Sequence, residues 1–149
     1  MTMRQTQSLH LERLFDCSPE ELWDAWTRPE EFARWFNPVP GMDAEVLELD
    51  PRPGGRLVFA MVCPAGIRIA EECVFEVVNR PHELVIYQPH ENETHPLAGY
   101  PLTIRVLFRA EGEQTRMIFE QSGYPMDAPM DGAREGLRAA FDKLATVAA

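Results

Sequence analysis

Positive charge is scarce in this chain: fourteen Lys and Arg stand against twenty-four Asp and Glu, for a formal net charge of −10. So acidic a chain repels phosphate backbones and anionic headgroups, which excludes nucleic acid and membrane surfaces as expected partners. Cysteine is sparse as well. Cys17, Cys63 and Cys73 are odd in number, far apart and outside any CxxC spacing, so neither a disulfide framework nor a zinc site is expected; they read as buried thiols in a reducing compartment. No stretch approaches the ~20 apolar residues of a membrane span, and residues 1–7 lack the apolar run of a signal peptide, so the expected location is cytoplasmic. Also missing are a nucleophile elbow, a dinucleotide fingerprint and a metalloprotease helix, and Gly54-Gly55 lacks the downstream helix that a phosphate site needs. These absences exclude the familiar cofactor enzymes, and no cofactor is expected.

What is present fits one domain, residues 1–149, with no linker, repeat or low-complexity segment. Leu9, Leu11 and Phe15 share one phase of an alternating stretch, which reads as an opening strand. Ser18-Pro19-Glu20-Glu21 then supplies an N-cap hydroxyl, a proline at the first helical position and a carboxylate at the third, a capping box. Pro29 ends that helix, and a second short one fits Glu30 to Phe36, before Pro38 and Pro40.

From Ala44 to Gln121 strands and turns alternate without a long amphipathic stretch, as in an antiparallel meander. Leu102, Ile104, Val106 and Phe108 oppose Thr103, Arg105 and Arg109, and Met117 and Phe119 oppose Arg116 and Glu120, so these strands have one dry and one wet face. A cover for the dry face is available at the end, where Ala133, Leu137, Ala140, Phe141, Leu144 and Val147 fall on one helical stripe of Asp131 to Val147. The predicted class is α+β: a curved antiparallel sheet of about six to seven strands, two short helices after the first strand, and a long C-terminal helix over the concave face.

This order of motifs resembles the START-like, helix-grip superfamily and, within it, the group of the activator of heat-shock-protein ATPase. The likeness rests on Leu11-Glu12-Arg13, on Ser18 to Glu30 with Arg34-Trp35-Phe36, on the glycine-pair hairpin Asp50 to Arg56, on Phe75 to Val85 and on Gln114 to Met117. Two departures stand out: Glu71-Glu72 where the group usually has a glycine near the start of its central strand, and Gly136-Leu137 where its last helix often reads glycine-tryptophan. The resemblance implies a cavity between sheet and helix that encloses an apolar molecule.

Within that frame the expected ligand-binding residues are Trp35, Met61, Glu71, Cys73, Tyr87, Phe108, Phe119 and Phe141. Trp23 and Trp26, at helical spacing, read as core. Glu71 is the informative polar position, because Ile67, Ile69, Cys73, Phe75 and Val77 set an apolar phase that includes it. A carboxylate placed there orients a ligand or acts as an acid–base group, and Glu71 is the candidate catalytic residue, with Tyr87 or His95 assisting. His90 and His95, with Glu91 and Glu93, lie in a proline-bounded polar segment read as a mobile loop, and no metal is expected there. Three function classes follow: a small-molecule binder, a cyclase- or hydratase-like enzyme, and a chaperone-interaction module, which ranks below binding. Leu107 and Ile118, on the wet face of neighbouring strands, point to a homodimer patch.

Overall fold

A computed structural model of the chain describes residues 5–36, 43–91, 93 and 97–148. Strand β1 (Thr6–Phe15) is followed by helices α1 (Pro19–Thr27) and α2 (Pro29–Trp35). The strands β2 (Asp43–Leu49), β3 (Arg56–Val62), β4 (Arg68–Asn79), β5 (Glu83–Gln88), β6 (Leu102–Glu111) and β7 (Gln114–Pro125) come next, and helix α3 (Met130–Ala148) closes the chain. The seven strands form one antiparallel sheet in the order β1-β7-β6-β5-β4-β3-β2. Only β1 crosses over, to pair with the last strand. This is the helix-grip architecture expected from the motif order.

Local chemistry explains the boundaries. The capping box forms: the Glu21 amide donates to Ser18 Oγ at 3.1 Å, and the Ser18 amide donates to the Glu21 carboxylate at 3.2 Å. Pro29 occupies the first turn of α2, where its missing N–H costs nothing. At the β2–β3 hairpin Gly55 is required by space, because a Cβ there would run into the backbone carbonyl of Asp50. Its neighbours tie the turn to β4: the Gly54 amide donates to the Phe75 carbonyl and the Phe75 amide to the Gly55 carbonyl, both at 2.8 Å.

The concave face holds the core. Leu9, Leu11, Phe15, Leu57, Phe59, Cys73, Phe75, Leu84, Ile86, Ile104, Val106, Phe108, Met117 and Phe119 point inward at alternate strand positions, and all three helices cover them. The outer face is laced by charge, with Arg105 on Glu83 at 2.7 Å and Arg56 between Glu48 and Glu72. Leu107 and Ile118 face each other across β6 and β7 and are half-buried rather than exposed. Cys63 is likewise half-buried, whereas Cys17 and Cys73 are buried thiols.

Two parts of the β4 reading need correction. Ile67 precedes the strand in a turn and is 62% exposed. Val77 leaves the inward phase at a bulge between Phe75 and Val77, and Val78 packs against the core instead.

Candidate functional site

At one end the concave face is hollow. A partly open cavity of about 330 Å³ lies among the ends of β3, β5 and β7, the starts of β4 and β6, the first turns of α3, and the loop after β5. Its apolar wall is Phe36, Phe59, Met61, Leu97, Leu102 and Leu137, with Gly132 and Ala133 above it; its polar wall is Glu71, Gln88, His90, Gln121 and Tyr124. The polar residues are placed by strand parity. Gln88 follows Leu84 and Ile86 on the inward side of β5, and Gln121 follows Met117 and Phe119 on β7.

Tyr124 is buried at the end of β7, beyond Gly123, whose positive φ of 111° and close approach to the Pro101 carbonyl leave no room for a Cβ. Its hydroxyl donates to Gln121 Oε1 at 2.7 Å, and Gln121 Nε2 donates to Gln88 Oε1 at 3.1 Å. Burial pushes the Tyr124 phenol up to about 12, so it stays protonated. Burial likewise drives the Cys73 thiol to about 12 against a hydrogen bond from Gln88, which leaves it an inert thiol beside the polar chain.

Glu71 points inward, as its phase predicts, and its side chain is only 14% exposed. Across from it stands His90, whose side chain is 4% exposed although the residue sits in a loop at positive φ (50°). His90 Nδ1 lies 2.9 Å from the Tyr100 carbonyl, and Nε2 lies 3.5 Å from Glu71 Oε2. A carbonyl only accepts, so Nδ1 carries a hydrogen and Nε2 is the atom turned toward the carboxylate. Burial opposes protonation of this ring, but the hydrogen bonds to Glu71 and Tyr100 and the Glu71 charge outweigh it, and His90 is held above its ordinary value. The segment read as a mobile polar loop therefore delivers a buried histidine to the site.

Of the expected ligand-binding residues, Met61 and Glu71 line this cavity. Tyr87 does not: it alternates with Ile86 and Gln88 and lies on the outer face of the sheet. Trp35 is fully buried, with Nε1 donating to the Ala25 carbonyl at 2.8 Å, and its ring meets Trp26 at 4.7 Å. Phe119 and Phe141 pack against each other at 5.4 Å, and Phe108 packs edge-on against Trp23 at 5.9 Å. These residues are solid core because α1, α2 and the middle of α3 fill the space above them. Cys73 borders only a water-sized void of about 10 Å³, together with Trp26, whose Nε1 has no hydrogen-bond partner among the described residues. His95 lies outside the described residues, and among those described no group of three His, Cys, Asp or Glu is arranged to hold a metal ion. No described helix is long and apolar enough to cross a membrane.

The sheet, the paired short helices and the gripping C-terminal helix define a START-like domain. Solved structures share it. A crystal structure of a Chromobacterium violaceum protein aligns with TM-score 0.83 at 19% identity, covering 94% of this chain and 96% of that one. A solution structure of an Arthrobacter aurescens protein also reaches 0.83, at 20% identity, with 95% and 85% covered. A Nitrosomonas europaea protein reaches 0.77 at 23% identity, with 94% and 92% covered. The chain belongs to the family described as activator of Hsp90 ATPase homolog 1-like protein, whose profile matches residues 16–149. No curated protein matches the sequence closely.

Proposed function

We propose that this protein binds a small, largely apolar molecule in the cavity between the sheet and the start of α3. The observation that carries the reading is the two-sided wall: apolar side chains on most of the surface, and convergent polar groups from β4, β5, β7 and the His90 loop on the rest. A volume of about 330 Å³ falls at the small end of the roughly 300–1,000 Å³ typical of ligand pockets. Native mass spectrometry before and after organic extraction reads any molecule that the protein retains. Binding of the uncharged fluorophore N-phenyl-1-naphthylamine reads the cavity itself. We expect saturable fluorescence enhancement that Ala133→Phe, which fills the cavity from α3, reduces at least ten-fold in affinity. A protein that carries no extractable compound and does not enhance the fluorophore is not a binder of this kind.

A second reading is favoured by the His90–Glu71 contact. A histidine and a carboxylate sharing a proton at a cavity wall can take up and return a proton, as a cyclisation or hydration requires. On this reading Glu71 is the catalytic acid–base group, with His90 in the assisting position that Tyr87 and His95 were expected to hold. Glu71→Gln then abolishes turnover of any bound molecule that the wild type converts, while fluorophore binding persists; turnover that survives the substitution excludes it.

A further inference from the structure

The cavity has an inner end that narrows the ligand class, an inference that rests on the binding reading above. The water-sized void of about 10 Å³ lies one inward position deeper along the same strands. On β4 Glu71 lines the cavity and Cys73 the void; on β6 Leu102 lines the cavity and Ile104 the void. On β3 and β5 Phe59 and Gln88 border both, with Leu57 and Ile86 next inward beside the void alone. Each step is two residues, so the void continues the cavity along the strand direction toward the core. Phe36, which caps α2, also borders both spaces.

Most of the side chains around this void are hydrocarbon: Phe32, Phe36, Leu57, Phe59, Ile86 and Ile104. Of the three polar ones, Gln88 and Cys73 already hydrogen-bond each other. The third, Trp26, is 2% exposed, and its Nε1 has no hydrogen-bond partner among the described residues. Trp35, in the same core, instead donates from Nε1 to the Ala25 carbonyl at 2.8 Å. An indole N–H donates and does not accept, and a buried one left unmet is costly, so the group that completes Trp26 is an acceptor. The void has room for a single oxygen atom. A carbonyl oxygen suits it, being terminal and carrying no hydrogen that would need an acceptor in turn.

We infer that the pocket takes a largely apolar molecule whose inner end is a carbonyl group, the oxygen entering the void to accept a hydrogen bond from Trp26 Nε1 while the rest stays in the cavity. The test displaces bound N-phenyl-1-naphthylamine with 4-phenyl-2-butanone and with 2-methyl-4-phenyl-1-butene, the same shape with a methylene in place of the oxygen. Trp26→Phe removes the N–H, and comparing the two probes within each protein cancels the hydration of the free probes. With the fold checked by circular dichroism, the ketone-to-alkene affinity ratio is expected to fall at least about three-fold in Trp26→Phe. Proton–nitrogen NMR of the wild type reads the same contact without a variant: of the indole signals of the three tryptophans, that of Trp26 is expected to move downfield with the ketone and not with the alkene. A ratio that a folded Trp26→Phe leaves unchanged overturns the inference. So does a Trp26 indole proton that the ketone leaves in place; one already downfield in the free protein would show that water holds the void. A fluorophore that binds but yields to neither probe also overturns it and leaves the binding reading standing. A fluorophore that does not bind removes that reading, and this inference with it.

Discussion

The concave face divides into a filled half and a hollow half. In the filled half Trp26, Trp35, Phe119 and Phe141 form a continuous ring of aromatic contacts with centroids 4.7 to 6.3 Å apart. In the hollow half equally inward positions, Met61, Glu71, Gln88 and Gln121, face an open volume. Strand alternation is the same in both, so the sheet does not make the difference. The cover does. Phe141 and Leu144 of α3, with both short helices, descend onto the filled half, whereas α3 begins above the hollow half with Gly132 and Ala133. A cavity persists where the smallest side chains oppose the sheet, and the buried polar groups of its wall are tolerated because they pair with one another, Tyr124 with Gln121, Gln121 with Gln88 and His90 with Glu71.

The largest effects test that division by truncation. Phe119→Ala removes a fully buried ring from the filled half and is expected to cost about 3–5 kcal/mol, through lost burial and the void left behind. Met61→Ala, on a half-buried residue bordering existing space, is expected to cost only about 1 kcal/mol, because most of the cavity is already present. Urea denaturation of both variants measures the contrast. Equal costs would mean that the hollow half is closed in solution.

A smaller effect of opposite sign follows at the cover. A Cβ on Gly132 would meet nothing within 4 Å, and the residue lies in the first turns of α3 without a positive φ. Gly132→Ala should therefore stabilise the protein by about 0.5 kcal/mol, since alanine restricts the unfolded chain at no steric cost. A loss of stability would show that the helix start is not free of contacts.

The same division marks what the sequence could disclose. The capping box, the alternating strands and the apolar stripe of α3 are local patterns with one physical meaning, and the architecture was legible from them. The inward turn of Glu71 was legible from parity alone. Parity also contained Gln88, since Leu84 and Ile86 fix the inward phase of β5, whereas Tyr87, beside the loop after β5, has the opposite parity. Whether Trp35, Phe108, Phe119 or Phe141 borders a space depends on what another element places opposite, and no local pattern carries that. The burial of His90 depends on a positive φ and on the Tyr100 carbonyl ten residues on, so its loop read only as polar.

The smallest expected effect concerns that histidine. The folded state holds the His90 proton above the ordinary value of 6.5, because the contacts with Glu71 and Tyr100 outweigh burial. A raised value means that the folded protein binds this proton more tightly than the unfolded chain does. The resulting stabilisation is fully present below about pH 6.5 and is lost as the pH rises through the folded value. His90→Gln should remove this dependence, so that the stability difference between wild type and variant narrows as the pH is raised from about 6 to 8. Because the filled half contains no histidine among its buried residues, Phe119→Ala should keep the wild-type pH profile at a lower level. A difference between wild type and His90→Gln that stays constant with pH would mean that Glu71 and His90 do not share a proton in the folded protein.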